Sequence, residues 1–326
     1  MDVAPDGSVW LSGPGQMVRL GDEASLAAPD AWPPYPTVGV DGSLWVLVEP
    51  GYIQSFDGEA WTRQTERTEA GLSLRSMALG PDGAVWVAAS DQHKHCPETR
   101  ADCIGTVLLR VEGDGTMTTV DDWAAVYDGL VADDELAVSP DGDVWLIGMR
   151  RRGGLEAGTL LRFDGSEWRV VPGPEGFVNY YLGNSVVFGP DGTLWVHVSP
   201  EGDSPGAGER RIGGLARFDD PGWTTFSGGA SAEDLGGTGF VSTDLLSVGP
   251  DGSLWMNGIT DFGGCDGVDH FDGSAWTTSL PGRCVHDLDV GADGSVWVRA
   301  SRYGGMNPVE DIHLYVITPE AVAGTE

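Results

Sequence analysis

The sequence predicts an all-β protein, a seven-bladed β-propeller with four antiparallel strands per blade. Three observations predict it. One phrase recurs seven times: Pro5–Trp10 (PDGSVW), Asp41–Trp45 (DGSLW), Gly80–Trp86 (GPDGAVW), Pro140–Trp145 (PDGDVW), Gly189–Trp195 (GPDGTLW), Gly249–Trp255 (GPDGSLW) and Asp293–Trp297 (DGSVW). A second phrase alternates with it: Phe56–Trp61 (FDGEAW), Phe163–Trp168 (FDGSEW), Phe218–Trp223 (FDDPGW) and Phe271–Trp276 (FDGSAW). From Trp10 to Trp297 the first phrase returns every 48 residues or so, the length of one four-stranded propeller blade.

Each phrase reads as a hairpin. Short apolar runs such as Leu136–Val138 and Leu245–Val248 precede the first phrase, and β-rich runs such as VWLIG and LWVHV follow it. The Asp side chain can accept from turn amides, and Gly supplies the positive φ that the turn demands. The second phrase makes a second hairpin. Val111–Met117 and Leu20–Leu26 fill the same slot in degraded form. Each repeat is therefore four strands, A to D, with tight turns at A–B and C–D. The last strand C is Asp311–Thr318, and the tail beyond it is expected to add a short fourth strand. Eleven of the thirteen tryptophans fall in the two phrases, which assigns them to packing between blades.

Composition agrees. Fifty glycines and twenty prolines disfavour long helices. The formal net charge of −32 excludes a nucleic-acid partner and favours cationic ones. No apolar run approaches the length of a membrane span. The chain reads as a single propeller domain over residues 1–326, and because Met1 stands inside the first repeat it is expected to be truncated or excised from a larger chain.

Gly214–Trp223 (GLARFDDPGW) followed by Leu245–Gly258 (LLSVGPDGSLWMNG) resembles the two-component-regulator propeller repeat, which reads "gl.rFdG..W" and then "v..i..dpdGtlWvgt". The resemblance covers most of the chain blade by blade. It implies a propeller of the kind that forms extracytoplasmic sensing regions or stands alone as a binding domain. Long insertions between strands B and C depart from the pattern. A more distant similarity, to virginiamycin B lyase-like propellers with "GPDG.LWFTE" repeats, implies a metal-dependent lyase. Here the residues after Trp are VLV, VAA, LIG, VHV, MNG and VRA, and no position takes that family's metal-binding glutamate or catalytic histidine.

The A–B and C–D turns lie on one face of such a propeller, and the B–C and D–A loops on the other. All the long insertions fall on the second face, including 90–105, 199–214 and 228–244. Long loops on a rigid scaffold are where binding usually lives. Six residues before each turn proline or its equivalent, at the top of strand A, stand Arg75, Asp134, Asn184, Asp244 and His286, with Pro34 in the second repeat. This ring of unlike polar groups is a candidate channel-mouth site for a small polar ligand.

The four cysteines are expected to form two disulfides on that face, Cys96–Cys103 and Cys265–Cys284, which implies an oxidising compartment. The rival reading of the first pair is a metal site of His93, His95, Cys96 and Cys103. No nucleophile elbow, HExxH, phosphate loop or calcium loop is present, and His197 and His270 read as packing or surface residues rather than bases. The sequence thus points to a non-enzymatic, extracytoplasmic or secreted binding or sensor propeller without a cofactor, whose partner is a small polar molecule or a protein. The alternative is a lyase or hydrolase using a divalent metal at the channel mouth.

Overall fold

The computed structural model describes residues 1–13, 16–20, 26–27, 36–39, 42–48, 51–65, 72–91, 105–112, 115–120, 130–150, 159–174, 177–178, 186–200, 214–227, 245–259, 265–302 and 312–319. Seven antiparallel sheets follow one another along the chain, the architecture of a seven-bladed β-propeller. The first is β1 (Asp2–Val3), β2 (Val9–Gly13), β3 (Gln16–Arg19) and β4 (Leu26–Ala27). The second is β5 (Pro36–Val38), β6 (Leu44–Val48), β7 (Tyr52–Phe56) and β8 (Trp61–Arg63). The third is β9 (Leu72–Leu79), β10 (Val85–Asp91), β11 (Gly105–Val111) and β12 (Met117–Val120). The fourth is β13 (Leu130–Val138), β14 (Val144–Arg150), β15 (Thr159–Phe163) and β16 (Trp168–Pro172). In the fifth, strand A is split into β17 (Phe177–Val178) and β18 (Val186–Phe188), which both pair with β19 (Leu194–Pro200); β20 (Gly214–Asp219) and β21 (Gly222–Ser227) complete it. The sixth is β22 (Leu246–Val248), β23 (Leu254–Ile259), β24 (Cys265–Phe271) and β25 (Trp276–Ser279). Among the described residues the seventh has three strands, β26 (Arg283–Val290), β27 (Val296–Arg302) and β28 (His313–Ile317). The expected fourth strand of the tail falls on residues outside those described.

The chain divides into two compact units, residues 1–172 with the first four sheets and residues 173–326 with the last three. Within each unit the A strands of successive sheets touch: β1 with β5, β5 with β9 and β9 with β13 in one, β18 with β22 and β22 with β26 in the other. Strand A is therefore the inner edge of each sheet.

The A–B turns follow one pattern. In the sixth sheet Gly252 N–H donates to Gly249 O at 2.9 Å and Gly249 N–H to Ser253 O at 2.7 Å. Asp251 Oδ1 accepts from Ser253 N–H at 3.0 Å, and Gly252 takes φ +84°. A side chain on Gly252 would meet nothing within 4 Å, so the requirement is one of backbone conformation alone. Gly249 is glycine for a different reason: a Cβ there would stand 2.7 Å from Asp251 Oδ1.

Packing between sheets is carried by aromatic residues. The strand-B ring of one sheet meets the strand-C phenylalanine of the next edge-on: Trp10 with Phe56 at 5.9 Å, Trp86 with Phe163 at 6.0 Å and Trp195 with Phe271 at 6.2 Å. Each phenylalanine then lies against the tryptophan that opens its own strand D, as Phe271 does against Trp276 at 4.7 Å. Aliphatic residues fill the rest, such as Leu254, Met256 and Leu215 around Trp195 and Phe271.

The outer side of the strand-B ring is closed by a cation from strand C. Arg19, Arg110, Arg162 and Arg217 lie 5.6–5.8 Å from the ring centres of Trp10, Trp86, Trp145 and Trp195. Turn carboxylates hold these guanidinium groups: Asp6 at 3.0 Å from Arg19, Asp82 at 2.7 Å from Arg110 and Asp143 at 2.6 Å from Arg162. In the sixth sheet His270 takes the arginine position and stacks on Trp255 at 4.1 Å. The second and seventh sheets have Ser55 opposite Trp45 and Val316 opposite Trp297. The five covered rings are 4–7% exposed, whereas Trp45 and Trp297 are half-buried. The lid decides how deeply the ring is buried, as expected of an amphipathic arginine that covers apolar surface with its stem and faces the ring with its charge.

Two outcomes follow from this packing. Trp255→Ala removes a ring shared by the Val268–Leu288–Val296 cluster and should cost about 3–5 kcal/mol in chemical denaturation; an unchanged midpoint would show that the ring is not core. Nine turn carboxylates, those of residues 6, 57, 82, 164, 191, 219, 251, 272 and 293, are held below their ordinary range. Asp164, which accepts from the Glu167 amide and from Ser166, lies at about 2. A depressed folded-state pKa stabilises above the unfolded value, near 3.9, and the benefit is lost as pH falls through the folded one. Asp164→Ala should therefore lower Tm at neutral pH, by a deficit that shrinks as pH falls from about 4 to 2; a deficit constant with pH would mean that the carboxylate charge contributes nothing.

Candidate functional site

Three of the five channel-mouth residues expected from sequence lie in described inner strands, and each sits where the ladder is broken. In β9, Ser76 pairs with Ala88 and Leu74 with Ala89, so Arg75 is the extra residue of a bulge. In β26, Val285 pairs with Ala300 and Asp287 with Arg299, which leaves His286 as the extra residue. In β13, Ala132 pairs with Gly148 and Leu136 with Leu146, so the irregular stretch contains Asp134. Bulges interrupt pairing and re-aim side chains, and they concentrate at rims and beside binding sites. Asn184 and Asp244 lie outside the described residues; Asn184 falls between β17 and β18, where strand A of the fifth sheet is divided. Arg75 is exposed, and β9 and β13 touch, so Arg75 and the Asp134 stretch stand on neighbouring inner strands of the first unit.

His286 has a defined environment in the second unit. Its Nε2 lies 2.8 Å from Ser301 Oγ, and Ser301 is buried. Burial and the nearby Arg299 guanidinium hold the imidazole below its ordinary pKa, against the opposing pull of Asp287. Arg299 pairs with Asp287 at 3.5 Å. Burial thus favours the uncharged imidazole, which is fixed on one nitrogen by the buried Ser301.

Cys265 and Cys284 form a disulfide with Cα atoms 4.4 Å apart. It joins the sixth sheet to the seventh two residues from His286 and so anchors the strand that carries the bulge. Cys265 stands at the first position of β24 and Cys284 at the second of β26. Cys96, Cys103, His93 and His95 lie outside the described residues. Among the described residues no three His, Cys, Asp or Glu side chains converge as a metal-binding set. His197 and His270 are both buried. Among the described residues no helix is long and apolar enough to cross a membrane.

No family model matches the chain, and no curated protein matches it. Solved structures do. Hydrazine synthase from Kuenenia stuttgartiensis aligns at TM-score 0.61 and 15% identity over 98% of this chain and 95% of that one. The extracellular domain of the putative one-component system BT4673 from B. thetaiotaomicron aligns at 0.57 and 11% identity, over 97% of this chain and 37% of that one. YCF48 bound to D1 peptide aligns at 0.55 and 16% identity, over 92% and 89%. At these identities the likeness shows the propeller fold.

The inter-sheet link gives a test. The bridged residues are 19 apart, which corresponds to about 3 kcal/mol of loop-closure stabilisation. The double variant Cys265→Ser/Cys284→Ser should lose stability of that order and show faster amide exchange in β26; unchanged exchange there would remove the disulfide from any role in fixing His286.

Proposed function

We propose that this chain is a non-enzymatic, extracytoplasmic recognition propeller that binds a small polar ligand or an exposed protein segment at the inner-strand end bearing the long insertions. The observation that carries the reading is the coincidence of polar rim residues with breaks in the inner strands, at Arg75, around Asp134 and at His286. A sheet with no use for these positions would keep its ladder, because an unpaired residue forfeits hydrogen bonds. On the neighbouring inner strands of the first unit, Arg75 and the stretch that contains Asp134 suit a ligand with both charge signs or several hydroxyl groups.

The disulfide supports an oxidising compartment, where such bonds persist. The repeat phrases support kinship with the two-component-regulator propellers, and with it a sensing role. The extracellular domain of BT4673 shares the fold, which is in keeping with that role.

The test is a thermal-shift screen against sugars, amino acids, short peptides and divalent cations, followed by calorimetry on any hit. A ligand should raise Tm, and Arg75→Ala, or His286→Ala for a site on the second unit, should weaken its binding at least tenfold while leaving the ligand-free melt within a degree or two. Binding that survives both substitutions would place the site elsewhere. Stabilisation by a divalent cation together with turnover would favour the metal-dependent lyase or hydrolase.

A further inference from the structure

The outer edge of the seventh sheet differs from that of the other six. Strand D covers strand C in each of the first six sheets, but β28 has no partner on its outer side among the described residues. Apolar exposure gathers at the same edge: only three large hydrophobic side chains are exposed among the described residues, and two of them are Ile312 at 49% and Val316 at 45%. An unpaired strand presenting exposed aliphatic side chains is a template for another strand.

The chain itself specifies what fits there. Strand D carries Met117-Thr118-Thr119-Val120 in the third sheet, Trp223-Thr224-Thr225-Phe226 in the fifth and Trp276-Thr277-Thr278-Ser279 in the sixth. Its first large residue pairs with the last apolar residue of strand C: Met117 with Val111, Trp223 with Phe218 and Trp276 with Phe271. Ile317 is the matching position of β28, since it pairs with Val296 as Phe271 pairs with Leu254. Ile317 belongs to the cluster around Trp255 and is 8% exposed. An aromatic residue placed opposite Ile317 would extend that cluster, and the two residues after it would pair with Val316 and Tyr315, where threonine or another β-branched residue suits the strand.

We propose that β28 is a docking edge that takes up an extended segment of a separate polypeptide, paired antiparallel and reading aromatic–Thr–Thr–apolar. The charge of −32 adds a second requirement, basic residues flanking the segment, and disfavours a second copy of this chain as the occupant.

The probe is a synthetic peptide carrying Trp-Thr-Thr-Phe-Ser, the sequence of residues 223–227, between lysine pairs. Its control has the second threonine replaced by proline, which keeps the charge but cannot pair through that position. Amide hydrogen exchange of the intact protein is followed with and without each peptide. The expected result is saturable binding of the first peptide at one per chain, with exchange slowed over residues 313–317 and no such slowing by the control. Three outcomes would overturn the proposal. Residues 313–317 could already exchange slowly in the free protein, which would mean that the edge is occupied. Protection could fall elsewhere or be equal for both peptides, which would mean charge attraction alone. Protection could instead rise with protein concentration alongside a dimeric mass, which would make a second copy the occupant.

Discussion

The tryptophan that opens each second strand is the contact on which the rest of the fold depends. It faces two ways. In the first, third and fifth sheets one side meets the next sheet, as Trp86 touches Phe163 and Trp195 touches Phe271. In the first, third and fourth sheets the other side is covered by a strand-C arginine held by a turn carboxylate, as Arg110 is by Asp82. Turn, ring and guanidinium therefore constrain one another. The Asp-Gly turn positions the carboxylate, the carboxylate steers the arginine, and the arginine excludes water from the ring that joins two sheets. An indole with one unprotected face would bury less area and contribute less to the joint. The half-buried Trp45 and Trp297 are the two places where this happens.

Most of this fold was legible because the repeat writes it out. DG before each Trp of the first phrase marked the first hairpin, FDG the second, and their spacing the blade. The cation lid was harder to see. Its arginine lies two residues before the C–D turn in RFDG, where an isolated arginine reads as a solvent-facing strand residue. Only the cross-strand register, Arg217 opposite Trp195 or Arg110 opposite Trp86, reveals its purpose. His270 illustrates the same limit. Read alone it is a histidine before a turn; in place it is the sixth sheet's substitute for arginine, with its pKa lowered by burial despite Asp251 and Asp272.

The candidate site was legible by counting and illegible in shape. Counting back from the turn proline picked out Arg75, Asp134 and His286, because the tight turn fixes the distance to the inner strand's far end. That those positions are bulged cannot be read from composition. LSLRSMAL and RCVHDLDV show no glycine or proline to mark a break, and the break comes from the pairing of β9 with β10 and of β26 with β27. The Cys265–Cys284 link was anticipated from topology, since strand B ends and the next strand A begins on one face. The two constraints then act together: the lids hold the sheets rigidly, and the disulfide ties down one inner strand that departs from regular pairing beside His286.

The lid is most directly tested by a double-mutant cycle on Trp86 and Arg110, using Trp86→Leu, Arg110→Gln and the pair, with stability read from urea unfolding. A lid that works through the ring predicts a coupling of about 0.5–1 kcal/mol or more between the two positions. Additive losses would contradict it and reduce the arginine to a surface partner of Asp82 and Glu112.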